Sequence, residues 1–525
     1  MAKVLVSDKL SPAAVEIFKN NKVEVDVKTG LKPEELLAII GEYDGLAIRS
    51  ATKVTAEVLR AAKKLKVIGR AGIGVDNVDV PAATAHGIVV MNTPFGNSIT
   101  TAEHAIAMMF ALARQIPEAS ASTHAGKWEK NRFMGTELTG KTLGLIGCGN
   151  IGSIVADRAQ GLKMKVIAFD PFLTPEKAKD LNLEKVELDA LLSRADFITL
   201  HTPLNDSTRN ILNADSLKKC KKGVRIINCA RGGLIDEKAL KSAIESGQVA
   251  GAALDVFEVE PATSNPLFGM EQIVSTPHLG ASTNEAQENV ALQVAEQMSD
   301  YLNSGTITNA VNMPSVSTEE AAKLKPYLEL ADQLGSFAGQ LTESGLKKVK
   351  IDYEGTVAKL NTKPITAVLL KGLLSPLVEG VNMVNAPVIA KDRNIEISES
   401  KHDRPVDYQT LIRLTVVTER QEREVAGTLF AGVHPRVVSV GGIKMEAGLS
   451  GHMLYVNNED KPGLIGGLGK LLGDASVNIA NFNLGRNDAK TDAIALLEVD
   501  QPVSEELTKK IAALPSVKKV KLLHF

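Results

Sequence analysis

The stretch KTLGLIGCGNIGSIVADRAQGLKMKVIAFD, residues 141–170, decides the fold. LGLIG reads as an apolar strand and MKVIAFD as a second one, with a helix from about Asn150 between them. Gly147-x-Gly149-x-x-Gly152 spans the strand-to-helix turn. Gly147 permits the tight turn, Gly149 lets the backbone approach a pyrophosphate, and Gly152 allows close packing of helix on strand. The helix amino terminus faces the phosphates. Asp170 ends the second strand about 20 residues on, where an acid that binds ribose hydroxyls is expected. Pro171 and Phe172 follow, with no Arg to receive a 2′-phosphate, so NAD is favoured over NADP.

Working outward, DFITLHTP, VRIINCARG, GAALDVF and QIVSTPH continue the series of apolar strands separated by helical stretches. Six such strands predict a doubly wound parallel sheet. Upstream, VLVSD, VEVDVK, GLAIRS, KVIGRAG and IVVMN alternate with helical spacing over residues 1–97, predicting a second α/β unit. Between the two lies a helix with a capping-box pattern at Thr100-x-x-Glu103. Its run 105–113 is apolar nearly all round, which predicts a buried strut. A polar helix over about 282–303 follows the second series, then a Pro- and Ser-rich linker at 312–320. Residues 313–451 read as a further α/β unit without recognisable chemistry. In the tail, 452–525, the order βαββαβ is the ferredoxin-like pattern. The expected units are 1–97 with a return segment 282–312, 98–281, 313–451 and 452–525.

Composition narrows the partners. At 525 residues the chain is too long for one core, and about 150 residues per domain implies roughly three or four. Lys and Arg number 60 against 62 Asp and Glu, a net charge of −2. That balance, with one Trp and 4% aromatics, predicts no nucleic-acid partner. Three cysteines cannot build a disulfide framework, so a cytoplasmic location is expected. MAKVLVSDKL has charges inside its apolar stretch and does not read as a signal peptide. No uncharged apolar run reaches about 18 residues, so no membrane span is expected.

Three charged residues end later strands: Arg231 after IINCA, Glu260 after LDVFEVE and His278 after VSTP. The carboxyl ends of strands line the ligand crevice of an open parallel sheet. There His278 can move a proton near neutral pH, and Glu260 can fix its tautomer and favour its charged form. Arg231 can bind a carboxylate and polarise the adjacent oxygen. His86, His104, His124 and His201 lack metal-ligand spacing, and no metal is expected. Cys148, Cys220 and Cys229 read as small buried thiols, and the lysine runs as solvated helix ends.

NCARGGLIDE (228–237), LDVFEVEP (254–261) and TPHLGAST (276–283) resemble the signatures of the D-isomer-specific 2-hydroxyacid dehydrogenases. IRSATKV (48–54), GRAGIGVDNVD (69–79) and NTPFGNSITTAEH (92–104) are similar to that family's substrate-binding segments. KWEKNRFMGTELTGKTLGLIG (127–147) and the overall layout resemble its long-form members that act on 3-phosphoglycerate. The tail, with DKPG (460–463) and VNIANF (477–482), resembles an ACT domain. The resemblance implies a Rossmann NAD domain, a flavodoxin-like substrate domain, an intervening domain and an ACT regulatory domain. It makes His278 the acid/base, Glu260 its partner and Arg231 the carboxylate and carbonyl ligand. Asp255 would hold the nicotinamide carboxamide. Asn150 and Ile151 lie at the pyrophosphate turn. Thr202, Cys229, Ala230, Gly280 and Ala281 would line the NAD crevice, with Ile73 approaching from the other unit. Arg49, Gly72, Gly74 and Val75 would anchor substrate, with Lys130 or Arg132 supplying phosphate charge. Asn458, Asp460 and Asn478 match positions that bind serine in some relatives.

The expected activity is NAD-dependent oxidation of 3-phospho-D-glycerate to 3-phosphohydroxypyruvate, the first step of phosphorylated L-serine biosynthesis, by a homo-oligomer, dimer or tetramer. The alternatives are a glyoxylate or hydroxypyruvate reductase of the same family, and an NAD-sensing regulatory protein on a dehydrogenase scaffold.

Overall fold

The computed structural model describes residues 1–316, 318–403 and 407–525. Strands β1 (Lys3–Val6), β2 (Glu24–Val27), β3 (Gly45–Ile48), β4 (Val67–Arg70) and β5 (Val89–Met91) form one parallel sheet in the order β2-β1-β3-β4-β5. This is the flavodoxin-like order. Strands β6 (Thr142–Ile146), β7 (Lys165–Phe169), β8 (Glu184–Lys185), β9 (Phe197–Leu200), β10 (Val224–Asn228), β11 (Val249–Leu254) and β12 (Ile273–Ser275) form a second. Its order is β12-β11-β10-β9-β6-β7-β8, and every pairing is parallel. The order reverses between β6 and β9, and the crevice above their carboxyl ends is the dinucleotide position of a doubly wound sheet. Phe197, Ile198 and Leu200 are fully buried. Strands covered on both faces need continuous apolar runs, which is why their sequences do not alternate.

The helix Asn284–Ser304 returns to the first sheet. Val290, Val294 and Met298 pack there against Val4, Val67 and Met91. Gly69 leaves the room: a Cβ on it would lie 2.2 Å from Met298 Sδ. Truncating a fully buried Met of this kind costs about 2–5 kcal/mol.

The connecting helix runs Ser98–Arg114, beginning upstream of the expected cap. Its N-cap, Asn97, makes no side-chain cap bond, and Ser98 Oγ instead donates to Pro94 O at 2.9 Å. Thr100 faces Thr283 at 3.3 Å, so the capping box does not form. The helix is buried on one side only. Met108, Met109 and Leu112 enter the core, whereas Phe110 stays exposed.

Beyond it, β13 (Leu346–Gly355), β14 (Glu396–His402), β15 (Thr410–Thr418), β16 (Glu422–Phe430), β17 (His434–Val440) and β18 (Ile443–Ala447) make a mixed sheet, in which only β13 and β14 pair parallel. Leu330, Leu334 and Phe337 of the helix Thr318–Gln340, and Leu369 and Leu373 of Lys363–Leu374, share its core. That first helix begins inside the segment expected as linker. The tail has β19 (His452–Glu459), β20 (Ile479–Arg486), β21 (Asp492–Val499) and β22 (Val517–His524) with two helices, in the order β20-β21-β19-β22. That is the ferredoxin-like arrangement. Among the described residues no helix is long and apolar enough to cross a membrane.

Candidate active site

The glycine turn is built by space. A Cβ on Gly147, where φ is +93°, would sit 2.5 Å from His201 O, and one on Gly152 would sit 2.2 Å from Gly147 O. Around Gly149 nothing lies within 4 Å of such an atom. Gly149 is also the N-cap of the helix Asn150–Gly161 and offers no side-chain cap. The backbone at Gly149 therefore borders open space at the helix amino terminus, a position that suits an anionic group. Asp170 Oδ2 accepts from Cys148 N at 2.7 Å and Oδ1 from Phe172 N at 2.7 Å. Its carboxylate is thus fixed at the end of β7 with lone pairs left for hydroxyl donors. These residues fit a dinucleotide. Thr202 adjoins Gly147, with its N 3.0 Å from where a Cβ would be. Ile151 packs its side chain on the core. Asn150 Nδ2 reaches Pro94 O at 3.4 Å.

At the carboxyl ends of β10 to β12 the structure brings His278 and Glu260 together, with Nδ1 2.7 Å from Oε2. Glu260 Oε1 accepts from Phe257 N at 3.0 Å, which fixes the carboxylate. Its hydrogen bond to Glu260 raises the His278 pKa above the ordinary value, against burial. Burial opposes ionisation of Glu260, but the His278 and Phe257 bonds hold its carboxyl below the usual range.

Asp255 is fully buried beneath this pair. Its carboxylate accepts from Thr276 Oγ1 and Leu279 N at 2.7 Å and from Gly280 N at 2.8 Å, and lies 3.2 Å from His104 Nε2. Burial raises its pKa, yet these donors hold it below the ordinary value. Asp255 therefore sets the course of the His278 loop, where His278 itself has φ +56°. Gly280 O accepts from Thr101 Oγ1 at 2.9 Å and Ala281 O from Gln287 Nε2 at 2.7 Å. Cys229 is buried close to Asp255, and burial pushes its thiol pKa far up. Ala230 N donates to Asn228 Oδ1 at 3.1 Å.

Arg231 crosses to the first sheet. Its Nε donates to Asp76 Oδ2 at 3.0 Å and its Nη1 to Ala230 O at 2.7 Å. Gly74 lies so close that a Cβ there would be 1.7 Å from Arg231 Nη2. Gly72, with φ +141°, abuts Arg70 in the same way, at 1.5 Å from Nη1. The neighbouring Ile73 O accepts from Asn92 Nδ2 at 2.6 Å, and Val75 is half-buried. Arg70 is the residue that sequence reasoning missed. Burial first, and then the charges of Arg231 and Arg49, push its pKa down to about 10. Its Nε is buried without a partner. Arg49 is partly buried, which lowers its pKa against the pull of Asp8. Arg70 and Arg231 thus abut the loop 72–74, with the charge of Arg49 felt at Arg70, a cationic recess suited to an anion with several oxygens. The signal was present: Arg70 ends strand β4 as Arg231 follows strand β10.

Lys130 and Arg132 do not join them. Lys130 is exposed, and Arg132 pairs with Glu129 at 3.1 Å and Glu271 at 2.6 Å. Glu271 precedes β12, at the end of that strand away from the crevice. Nor are the three effector positions united. Asn458 pairs with Ala493 at the start of β21, whereas Asn478 O accepts from Asp500 N just past its end. Asp460 faces Arg486 at 3.5 Å. His201, half-buried, has its pKa lowered by burial to about 4 and stays neutral.

Comparison with known proteins agrees with this geometry. Residues 106–280 match the D-isomer specific 2-hydroxyacid dehydrogenase NAD binding domain, and residues 323–441 the D-3-phosphoglycerate dehydrogenase intervening domain. A D-3-phosphoglycerate dehydrogenase of Synechocystis is 45% identical over 99% of this chain and 94% of its own length. That of Bacillus subtilis is 42% identical over 100% and 99%. A glyoxylate reductase structure from Paecilomyes thermophila, 33% identical, superposes with a TM-score of 0.56, covering 59% of this chain and 98% of its own. With relatives of this identity along its whole length, the chain belongs to the D-3-phosphoglycerate dehydrogenases, within the NAD-dependent D-isomer-specific 2-hydroxyacid dehydrogenase family.

Proposed function

We propose that this protein oxidises 3-phospho-D-glycerate to 3-phosphohydroxypyruvate with NAD, the entry step to phosphorylated serine synthesis. The observation that carries the substrate is the placement of Arg70 and Arg231 against the loop 72–74, with the charge of Arg49 felt at Arg70, beside the His278–Glu260 pair. Arg231 takes the carboxylate and the neighbouring C2 oxygen, and Arg49 and Arg70 take the phosphate. Lys130, exposed to solvent, and Arg132, in its own ion pairs, are not needed for it. With Nδ1 donating to Glu260, the free Nε2 of neutral His278 is the acceptor for the C2 hydroxyl proton. The imidazolium that results is stabilised by Glu260. Gly147, Gly149, Asn150, Gly152 and Asp170 would hold NAD, and Asp255 would orient its carboxamide. When bound, the nicotinamide supplies the hydride acceptor. Asp170 excludes a 2′-phosphate by charge.

Phe110, Ile116, Trp128 and Met134 stay exposed, an apolar surface that supports a homo-oligomer. The tail is assigned as an ACT domain. A serine effector there rests on the resemblance of Asn458, Asp460 and Asn478. All three cysteines are free, in keeping with a reducing cytoplasm. The test of the main reading is growth of NADH absorbance when purified protein meets NAD and 3-phospho-D-glycerate. NADH consumption with glyoxylate, and no reaction with phosphoglycerate, would transfer the protein to the reductase reading.

A further inference from the structure

The unit 313–451 is joined to the first unit by more than a linker. Between its helices lies the segment 380–387, GVNMVNAP. Two asparagines shape it. Asn382 Oδ1 accepts from Val384 N at 2.9 Å and Asn385 N at 3.2 Å, and Asn385 Oδ1 accepts from Asn382 N at 2.7 Å. The amide nitrogens then reach outward. Asn382 Nδ2 donates to Gly87 O at 2.9 Å, and Asn385 Nδ2, which also donates to Gly380 O within the segment at 3.0 Å, to Ala85 O at 3.4 Å. Those carbonyls lie at and just past the carboxyl end of the short helix Val80–Ala85, where backbone acceptors lack helical partners. Gly87 makes the approach possible, since a Cβ there would be 1.8 Å from Asn382 Nδ2. Between the two asparagines Val384, only 4% exposed, enters the hydrophobic core of the first sheet with Val6, Val23 and Met91.

The corner so gripped leads directly to the substrate loop. Gly87 and Ile88 run into β5, and Asn312 holds Val90 N of that strand at 2.9 Å and Ile88 O just before it at 2.8 Å. Asn92 and Thr93 follow directly on β5. Asn92 Nδ2 holds Ile73 O at 2.6 Å, and Thr93 Oγ1 accepts from Gly72 N at 2.6 Å. Gly72 and Gly74 are the residues packed on Arg70 and Arg231.

We infer that the segment 380–387 is a latch by which the intervening unit grips the corner 84–90 and, through β5, fixes the loop 72–74. Asn382 and Asn385 are then positioning residues for substrate, a role that rests on the function proposed above. The side chains divide their work so that the latch can be cut selectively. Asn382→Asp keeps the acceptor that shapes the segment and removes the donor to Gly87. Asn385→Asp likewise keeps the acceptor for Asn382 N and removes the donor to Ala85 O, together with its bond to Gly380 O. Val384→Ala loosens the core contact and serves if either polar variant fails to fold. Gln340→Ala is the control, because it breaks a different joint, the pair of bonds to His524.

In the full chain, amide exchange should speed up at 84–93 and at 72–76 in the latch variants and not in Gln340→Ala. KM for 3-phospho-D-glycerate should rise about two- to tenfold, the effect of one lost hydrogen bond, while kcat and KM for NAD stay within about twofold of wild type. Unchanged exchange at 72–76 would overturn the latch, and so would equal rises in KM for both substrates. If wild type does not oxidise phosphoglycerate at all, the proposed function fails while the exchange experiment still decides the latch.

Discussion

Arg70→Met should make the ligand-free protein more stable and the enzyme much worse. The Arg70 guanidinium is held at a pKa of about 10 against an ordinary 12.5, by burial and by the charges of Arg231 and Arg49. A cation whose pKa is lowered on folding is destabilising at every pH below that value. The displacement corresponds to about 3 kcal/mol. Methionine retains much of the packing, and about 1 kcal/mol is allowed for the stem contacts it loses. Net stabilisation of roughly 1–2 kcal/mol remains, or about 2–4 °C in the first unfolding transition per kcal/mol. Substrate binding runs the other way. Two charged hydrogen bonds to phosphate, at about 1.5–3 kcal/mol each, are worth about 10²- to 10⁴-fold in kcat/KM. The assay is thermal unfolding with and without inorganic phosphate, together with kcat/KM for 3-phospho-D-glycerate and for D-glycerate. Phosphate should raise the wild-type midpoint more than that of the variant. A lower midpoint in Arg70→Met, with an unchanged ratio of the two efficiencies, would refute the reasoning and make Arg70 a structural cation.

Three further outcomes follow from the same site. His278→Ala should lose about 10²–10⁴ in turnover with NAD affinity retained, because proton transfer goes and the cofactor cradle stays; turnover near wild type would remove His278 from the chemistry. Oxidation needs neutral imidazole, and the Glu260 bond raises the His278 pKa, so Glu260→Gln should move the acid limb of the kcat/KM profile to lower pH; a limb that stays in place would make Glu260 structural. Asp170→Ala should weaken NAD more than NADP, measured as the ratio of the two dissociation constants, and a constant ratio would mean that another group reads the ribose.

Much of the site was legible because its signals are local. A glycine pattern between two apolar strands, and charges just past strand ends, are sequence-adjacent facts with a fixed meaning in an open parallel sheet. Arg70 escaped because its importance comes from convergence: only the fold brings β3, β4 and β10 to one loop. Lys130 and Arg132 illustrate the reverse. Their charge is visible in the sequence, but Glu129 and Glu271 take up Arg132 on the far side of β12. The cap at Thr100 failed for a similar reason, since Ser98 bonds Pro94 O and starts the helix earlier. The sequence of 313–451 shows only an α/β unit. Its strands β16 and β18 carry polar residues among the apolar ones, and its sheet is mostly antiparallel, so no parallel βαβ rhythm marks it. Asn382 and Asn385 look like ordinary turn residues until Gly87 and Ala85 are brought to them.

The most direct test of the account is the wild-type ratio of kcat/KM for 3-phospho-D-glycerate to that for D-glycerate, followed by NADH formation. Arg49 and Arg70 as phosphate ligands lead to a ratio of at least about 10², the contribution of two charged hydrogen bonds. A ratio near one would contradict the account, because a recess built from three arginines would then be reading something other than phosphate.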